Sequence, residues 1–278
     1  LTMPILKDKL MLIAGGRTGF SDVLFPLLIP RLKNTRANFF DSTVKLLYLL
    51  NSNNQITYTN FISNDFYQLD LISSVENIIS SSNQYDFKTR NHTLKWLHTF
   101  ENSTNLINRL IHSTYTPQNL FPEVDSENII RFESQIQYSS IQSEYSNAKT
   151  EDLSYYAGLE VKRYQINPGT LDPGNGNTIN PVSLNREVGF ESSAYFNLEW
   201  KPLPRMALSG GLRLTQFSLL GPFDEAQYTP EGLFNSITTF ESQELVKNYF
   251  NPEPRIGLNY KLSEDISIKM SYARIFQY

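Results

Sequence analysis

The sequence predicts an all-β protein, namely an antiparallel up-and-down transmembrane β-barrel with about eleven strands in this chain. The first observation is that four segments within residues 187–278 alternate apolar and polar side chains, which is the period of a β-strand. The second is that short turns and long polar connections follow one another in turn. The third is composition, since charged residues make up only 19% whereas aromatic residues reach 13%. Few charges and many Tyr and Phe suit a barrel wall with aromatic girdles.

The four best segments are residues 188–200, 205–217, 253–262 and 266–278. In the string MALSGGLRLTQF the side chains divide into two faces. One face holds Met206, Leu208, Leu212 and Leu214, and the other holds Ala207, Ser209, Gly211, Arg213 and Thr215. The first face suits hydrocarbon and the second suits water, so each strand is expected to have lipid on one side and water on the other.

Seven further strands are predicted earlier in the chain, at residues 9–20, 39–51, 55–65, 86–100, 106–115, 129–146 and 153–166. Residues 21–38, 66–85, 167–187 and 218–252 are expected to be long loops at one rim, whereas the strings NSNN, ENSTN, KPLPR and LSED turn the chain at the other. The prolines make residues 21–38 a loop, with a short buried strand as the alternative. Residues 69–79 could hold a short amphipathic helix within the second loop.

Composition limits the other classes of protein. The chain of 278 residues has no apolar run near the length that a membrane helix requires. The absence of Cys excludes disulfides and thiolate metal sites. A net charge of -4, with no basic stripe among the aromatics, argues against nucleic acid as a partner. The opening LTMPILKDKL has no signal-peptide pattern, so a protein exported to the outer membrane is expected to be longer than this piece.

A family resemblance is carried by the end of the chain. The string FNPEPRIGLNYKLSEDISIKMSYARIFQY, preceded by FNLEWKPLPRMALSGGLRLTQFSLLGP, resembles the later barrel strands of outer-membrane TonB-dependent receptors, particularly those of Bacteroidetes. The string MPILKDKLMLIAGGRTGF resembles an earlier hairpin arm of the same barrels, whereas residues 51–169 match only in the spacing of their predicted strands and turns.

The resemblance implies more than the spacing shows. It implies a barrel of about 22 strands, of which residues 1–278 form one part. It also implies a plug domain that is not present in this chain, and active uptake of a siderophore, an oligosaccharide or a peptide. The implied partners are outer-membrane lipid, TonB through the missing N-terminal region, and a surface lipoprotein of the SusD-like kind in SusC-like systems. No cofactor is implied.

Five cations are candidates for the lumen because they stand on the polar faces of otherwise apolar strands. A Lys or Arg that faces lipid at mid-depth costs about 2 to 4 kcal/mol, so these side chains are expected to point inward. They are Arg17, Lys45, Arg213, Arg255 and Lys269. There they would contact a plug, a substrate or water, or they would pair with acidic residues of the wall.

The long segment 218–252 supplies the candidate ligand-binding residues. It places the aromatic side chains Phe223, Tyr228, Phe234 and Phe240 among Asp, Glu and Gln. Recognition commonly resides on loops that a rigid scaffold positions. The alternative is that these rings pack against one another to order a long loop.

The sequence predicts neither a metal site nor an enzyme. His92 and His98 stand about 20 Å apart along one strand, so these two cannot share a metal ion, and a site with His112 is the remaining possibility. The string DPGNGN lacks the carboxylates of a calcium loop, and no nucleophile motif is present. Three rivals remain open, namely a passive porin or structural barrel, a soluble β-sandwich that binds glycans, and, least favoured, an outer-membrane enzyme.

Overall fold

The fold is one broad antiparallel sheet with long connections along a single rim. The computed structural model of the chain describes residues 1–29, 35–69, 73–75, 78–102, 104–124, 126–147, 152–175 and 179–277. Within these residues no helix is long and apolar enough to cross a membrane.

Twelve strands follow one another across the sheet, and each is antiparallel to the next. They are β1 (Thr2–Leu6), β2 (Leu10–Phe20), β3 (Arg36–Asn51), β4 (Asn54–Leu69), β7 (Asn83–Thr99), β8 (Asn105–Pro122), β9 (Ile129–Asn147), β10 (Leu153–Asp172), β12 (Glu187–Leu203), β13 (Met206–Leu220), β16 (Leu245–Lys261) and β17 (Ser267–Ala273). The short strand β11 (Val182–Ser183) adds to the end of β10. The predicted fold class is therefore confirmed.

Two small hairpins and one helix lie in the connections. The hairpins are β5 (Ser73–Val75) with β6 (Ile78–Ser80), and β14 (Phe223–Tyr228) with β15 (Phe234–Phe240). The helix is α1 (Ser21–Leu28). All three lie in connections on the same rim, because the strands alternate in direction from β1 to β17.

The meander sorts its connections by length, as the sequence predicts. Residues 7–9, 52–53, 100–104, 148–152, 204–205 and 262–266 make the short connections at one rim. Residues 21–35, 70–82, 123–128, 173–186 and 221–244 make the connections at the other. We call these the short-turn rim and the long-loop rim.

Several local predictions are wrong. Residues 21–28 form helix α1 instead of a loop or a buried strand, and Asn38 Nδ2 donates to Asp22 of that helix at 3.0 Å. Asp22 in the first turn favours a helix start, although Pro26 inside the helix opposes it. Part of the predicted helix at 69–79 instead forms β5 and β6, and residues 70–72 and 76–77 lie outside the described residues. Strand β1 was not predicted.

The strands are also longer than their sequence patterns, and they extend toward the long-loop rim. Strand β8 continues through Pro117 to Pro122, where the sequence indicated a connection, and β10 runs to Asp172. The predicted loop 218–252 shrinks to residues 221–244, because β13 and β16 pair up to Leu220 and Leu245. The strands therefore extend, toward the long-loop rim, beyond the segments in which apolar and polar residues alternate.

The register gives the sheet two chemically different faces. Cross-strand partners point to the same side, so the pairing of Leu208 with Leu258 and of Leu258 with Met270 places the three on one face. Leu212 and Ile268 share it. We call this the apolar face, and we call the opposite one, which carries Arg213, the charged face. Both were anticipated from the alternation.

The sheet does not enclose an apolar core. Among the residues whose burial is described, Ile130 is the one Leu, Ile, Val, Met or aromatic side chain that is buried. On the apolar face Ile141, Leu159, Ile256 and Met270 are each 64% exposed. A water-soluble protein does not leave such a continuous apolar surface open. The described strands also form one sheet rather than two packed sheets, so the soluble sandwich is ruled out.

Candidate functional site: the charged face and the rim hairpin

The five cations predicted from the sequence stand on the same face of the sheet. Following the register strand by strand from β2 to β17 places all of them with Arg213 on the charged face, namely Arg17, Lys45, Arg213, Arg255 and Lys269. Three of them pair with acidic neighbours on the wall. Arg17 lies 2.9 Å from Asp41 on the next strand.

A cluster of four charges occupies the middle of this face, and we call it the ion cluster. Arg213 of β13 lies 2.8 Å from Glu160 and 3.4 Å from Glu191. Lys162 lies 2.9 Å from Glu191 and 3.4 Å from Glu160. The four side chains are only 13% to 21% exposed. Each cation therefore bridges both carboxylates, and the cluster joins strands β10, β12 and β13.

Further hydrogen bonds complete the cluster. Arg213 also donates to Ser193 Oγ at 2.7 Å, and its guanidinium carbon lies 5.5 Å from the ring centre of Tyr195. Such a contact with an aromatic face adds a modest attraction. The hydroxyl of Tyr164 donates to Glu191 at 3.4 Å. The charges are thus held by partners on the wall itself.

Tyr195 reaches across a neighbouring strand because that strand has a glycine beneath it. Gly158 of β10 is the register partner of Tyr195, and a Cβ at Gly158 would collide with the tyrosine hydroxyl. The ring instead crosses β10, and its hydroxyl donates to Glu144 of β9 at 2.8 Å. Gln142 donates back to the same hydroxyl at 2.9 Å. A glycine inside a strand commonly marks such a close approach.

A second group of charges continues the pattern on either side. Thr215 Oγ1 donates to Glu253 at 2.9 Å, and Glu253 lies 3.7 Å from Arg255. Arg109 donates to Gln142 at 2.8 Å and lies 3.9 Å from Glu144. Between these groups and the ion cluster the wall carries a shallow cleft of about 210 Å³, which Tyr195, Arg213 and Arg255 help to line.

Two of the predicted cations have no ion pair with any residue that the structure describes. Lys45 lies across from Ile13 and Thr59, and Lys269 lies across from Asn259. Neither residue has a carboxylate opposite it. These two ammonium groups therefore remain available to a group outside the described wall.

Sequence reasoning missed three of the four members of the ion cluster, namely Lys162 and the two glutamates. Glu160 and Glu191 stand at the charged-face positions of alternating strands, so the period of two was a usable signal for each of them. Their meeting with Arg213 was not predictable, because it depends on the register between three strands.

The rim hairpin, defined as residues 223–240, holds the predicted ligand-binding aromatics in two pairs. Phe223 lies across from Phe240 at its base, and Tyr228 lies across from Phe234 near its tip. The tip rings meet edge to face at 6.4 Å and are 64% and 60% exposed. The four rings therefore do not form one aromatic patch.

The rim hairpin is tied to the wall at one point by an ion pair. Lys247 of β16 lies 2.7 Å from Glu225 of β14, and the register places Lys247 on the charged face. The hairpin is thereby held on the charged-face side of the rim. In its turn, a side-chain hydrogen bond with Thr229 lowers the pKa of Glu231, so this carboxylate stays ionised.

The histidines and residues 172–175, the part of the DPGNGN string that the structure describes, do not come together as a metal site. His92 and His112 lie directly across from each other, but on the apolar face, and they bond to Tyr58 and Ser139 respectively. Asp172 accepts a hydrogen bond from the backbone of Gly174, which makes a plain turn. No three His, Asp or Glu residues in the described part of the chain lie close enough to hold a metal ion.

An antiparallel meander with one apolar and one charged face, and with connections sorted by length, defines a wall of a membrane-spanning β-barrel. Residues 31–277 match the family described as TonB dependent receptor-like, beta-barrel. The chain therefore belongs to this family of outer-membrane receptor barrels, which are not enzymes.

Solved structures show the same fold. The copper transporter OprC superposes with a TM-score of 0.67 at 10% identity, over 97% of this chain and 43% of its own. The ferripyoverdine receptor of Pseudomonas aeruginosa gives 0.67 at 11% identity, over 98% and 39%. The ferric-catecholate import receptor Fiu of E. coli K12, in its open form, gives 0.62 at 12% identity, over 97% and 51%. The chain thus spans about half the length of these proteins or less. A comparison with curated proteins returns no match.

Proposed function

We propose that this chain is part of the barrel of a receptor that takes up a nutrient ligand actively, with its charged face lining the lumen. The observation that carries the proposal is the ion cluster on one face of a sheet whose other face is apolar. Arg213 on a lipid-facing side would cost about 2 to 4 kcal/mol, whereas a wet lumen accommodates it. The cations Arg17, Lys45, Arg255 and Lys269 then face the lumen as well.

The ligand would be received at the rim hairpin and along the lumen wall. The exposed rings of Tyr228 and Phe234 stand beside hydrogen-bonding side chains such as Gln227 and Ser236. Aromatic surface next to polar groups suits a siderophore, an oligosaccharide or a peptide. Lys45 and Lys269, which have no ion pair within the described wall, would contact the plug or the passing ligand.

The partners follow from the family and from the edges of the sheet. Within the described residues, β1 and β17 each pair on one side only, and lipid does not tolerate an unpaired strand edge. Further strands would therefore close the barrel, to about 22 in all. A plug outside residues 1–278 would fill it, and TonB would supply the energy. The resemblance of the FNPEPRIGLNYKL string supports a Bacteroidetes type with a SusD-like lipoprotein.

A passive porin or a structural barrel is the competing function, and energy dependence separates the two. We expect growth of the producing cells on the transported nutrient to cease when TonB is removed. A passive pore would keep its flux in the same cells. The assembled amount of receptor, judged by heat-modifiable gel mobility, must be equal in both strains for the comparison to count.

The role of the rim hairpin is tested by shortening it. Removing residues 225–238 joins Asp224 directly to Thr239, and these two residues can then form the turn that closes the pair of Phe223 and Phe240. We expect uptake to be lost while the barrel still assembles. As a point test, replacing Tyr228 and Phe234 by Ser should reduce uptake, whereas Ile237→Ser, an equally exposed change on the same hairpin, should not. Undiminished uptake would direct attention to the lumen instead.

A further inference from the structure

A groove of about 430 Å³ lies on the apolar face, across strands β4 to β12. Its two ends differ in chemistry. The row toward the short-turn rim holds Tyr58, Leu94, Leu110, Ile141 and Val161, and the row toward the long-loop rim holds His92, His112, Ser139, Arg163 and, on β12, Phe190. The groove is therefore amphipathic on a face that contacts lipid.

The polar end is a single row of side chains across four neighbouring strands. His92 pairs with His112, His112 with Ser139, and Ser139 with Arg163. Nδ1 of His112 bonds to Ser139 Oγ at 2.9 Å, and Nδ1 of His92 bonds to Tyr58 Oη at 2.8 Å. Each imidazole is therefore held by a hydroxyl of a neighbouring strand, and Nε2 of His112 also lies 3.5 Å from Thr114 Oγ1.

Arg163 at the end of this row lacks a counter-charge. It is exposed, and its guanidinium makes no hydrogen bond or ion pair with any residue in the described ranges. On the charged face, by contrast, Arg213 and Arg109 each lie near a carboxylate. A guanidinium beside the apolar band is costly unless something neutralises it. Guanidinium matches phosphate geometry through paired hydrogen bonds.

The apolar end is open and in register with the polar end. Leu110, Ile141 and Val161 are 49%, 64% and 47% exposed, so the described residues of the chain leave them largely uncovered. Each stands two residues along its strand from His112, Ser139 and Arg163 respectively, which corresponds to about 7 Å. That spacing places an acyl chain directly below a phosphate.

We propose that this groove binds a membrane lipid that carries an anionic phosphate headgroup, with the phosphate on Arg163 and the row of His92, His112 and Ser139, and an acyl chain along Leu110, Ile141 and Val161. The inference is independent of transport, because it uses only the apolar face. It adds a defined lipid site to the otherwise non-specific contact of a barrel with its membrane.

The test uses the intact receptor in phosphatidylcholine nanodiscs that contain some phosphatidylglycerol, with retained lipid counted by native mass spectrometry. We expect retention of phosphatidylglycerol to fall about tenfold in Arg163→Gln, since a hydrogen bond to a charged group contributes about 1.5 to 3 kcal/mol. The matched control is Arg131→Gln, because Arg131 is also exposed on the apolar face of β9 but lies outside the groove. This control should retain lipid like the unaltered receptor.

A second measurement separates a lipid from a free anion. Inorganic phosphate added in excess should not displace the retained lipid, because it lacks the acyl chain that the aliphatic end binds. Displacement by phosphate alone would overturn the lipid assignment. Equal retention by Arg163→Gln and the unaltered receptor, with both assembled to the same extent on gels, would overturn the site itself.

Discussion

The guanidinium of Arg213 on β13 lies 2.8 Å from the carboxylate of Glu160 on β10, although β12 runs between these two strands. The contact is diagonal, because the register partner of Glu160 on β12 is Ser193 and that of Arg213 is Tyr195. Ser193 is small and accepts a hydrogen bond from Arg213, so the guanidinium reaches across this strand. A charge pair that spans three strands fixes their mutual register on the charged face.

The first prediction concerns the stability that the ion cluster contributes. Arg213→Met should lower the free energy of unfolding by about 2 kcal/mol, because it leaves Glu160 and Glu191 with Lys162 as their shared cation. Thermal unfolding of the barrel in detergent measures this. Lys247→Met is the control, since its pair with Glu225 is solvent-exposed and should contribute much less to stability than the ion cluster. Equal losses of unfolding free energy in the two variants would mean that the ion cluster stabilises the barrel no more than an exposed ion pair does.

The second prediction concerns the two faces. Leu212→Arg puts a cation on the apolar face and should impair assembly, at a cost of about 2 to 4 kcal/mol, whereas Ser209→Arg adds the same charge to the charged face and should assemble. Thr215, which stands on the same charged face, would be an unsuitable control because it is 1% exposed and bonded to Glu253. The assembled fraction is measured by heat-modifiable gel mobility. Equal tolerance of both changes would contradict the membrane assignment.

The third prediction concerns sidedness. Cysteines introduced at Asn175 and Gln227 lie on the long-loop rim and should react with an impermeant reagent on intact cells. A cysteine at Asn53 lies on the short-turn rim and should react only after the cells are broken. If Asn53 is the position labelled on intact cells, the topology is inverted.

The fourth prediction concerns a clasp between two connections of the long-loop rim. Asn128 donates to Glu123 at 3.0 Å and to the carbonyl of Pro173 at 2.9 Å, and its Oδ1 accepts from the backbone of Asn175 at 3.0 Å. Gly174 has a φ of 71°, and a Cβ there would overlap the Asn128 side chain. Gly174→Ala should therefore break the clasp and speed hydrogen exchange in residues 123–128.

Gly232→Ala is the matched control for that change. Gly232 has a φ of 82°, but a Cβ there would meet no atom within 4 Å. Its substitution should cost only the backbone strain, about 1 kcal/mol, and should leave exchange at 123–128 unchanged. Slow exchange at 123–128 in Gly174→Ala would show that the clasp does not hold these connections.

Much of the wall was predictable because its signal is local. The alternation of residues 205–217 predicts the two faces of this strand directly. In the structure Leu208 and Leu212 lie on the apolar face and Arg213 lies on the charged face. Residues 129–138 mislead, because Ile136 and Tyr138 lie on the charged face while Gln135 and Gln137 lie on the opposite one. This part of β9 stands near the long-loop rim, above the apolar band, so lipid no longer selects which face is apolar.

The amino-acid sequence by itself determined eleven strands of the wall, their order, the two faces of most of them and the common rim of the long connections, because a period of two and hairpin turns are encoded within a few residues. Only the tertiary structure decided which side chains meet. Glu160, Lys162, Glu191 and Arg213 come from three strands, and His92, His112, Ser139 and Arg163 from four, and no local pattern contains the register that aligns them. The hairpin at 223–240 and helix α1 likewise depend on the rim that they sit on, since their own residues favour a loop.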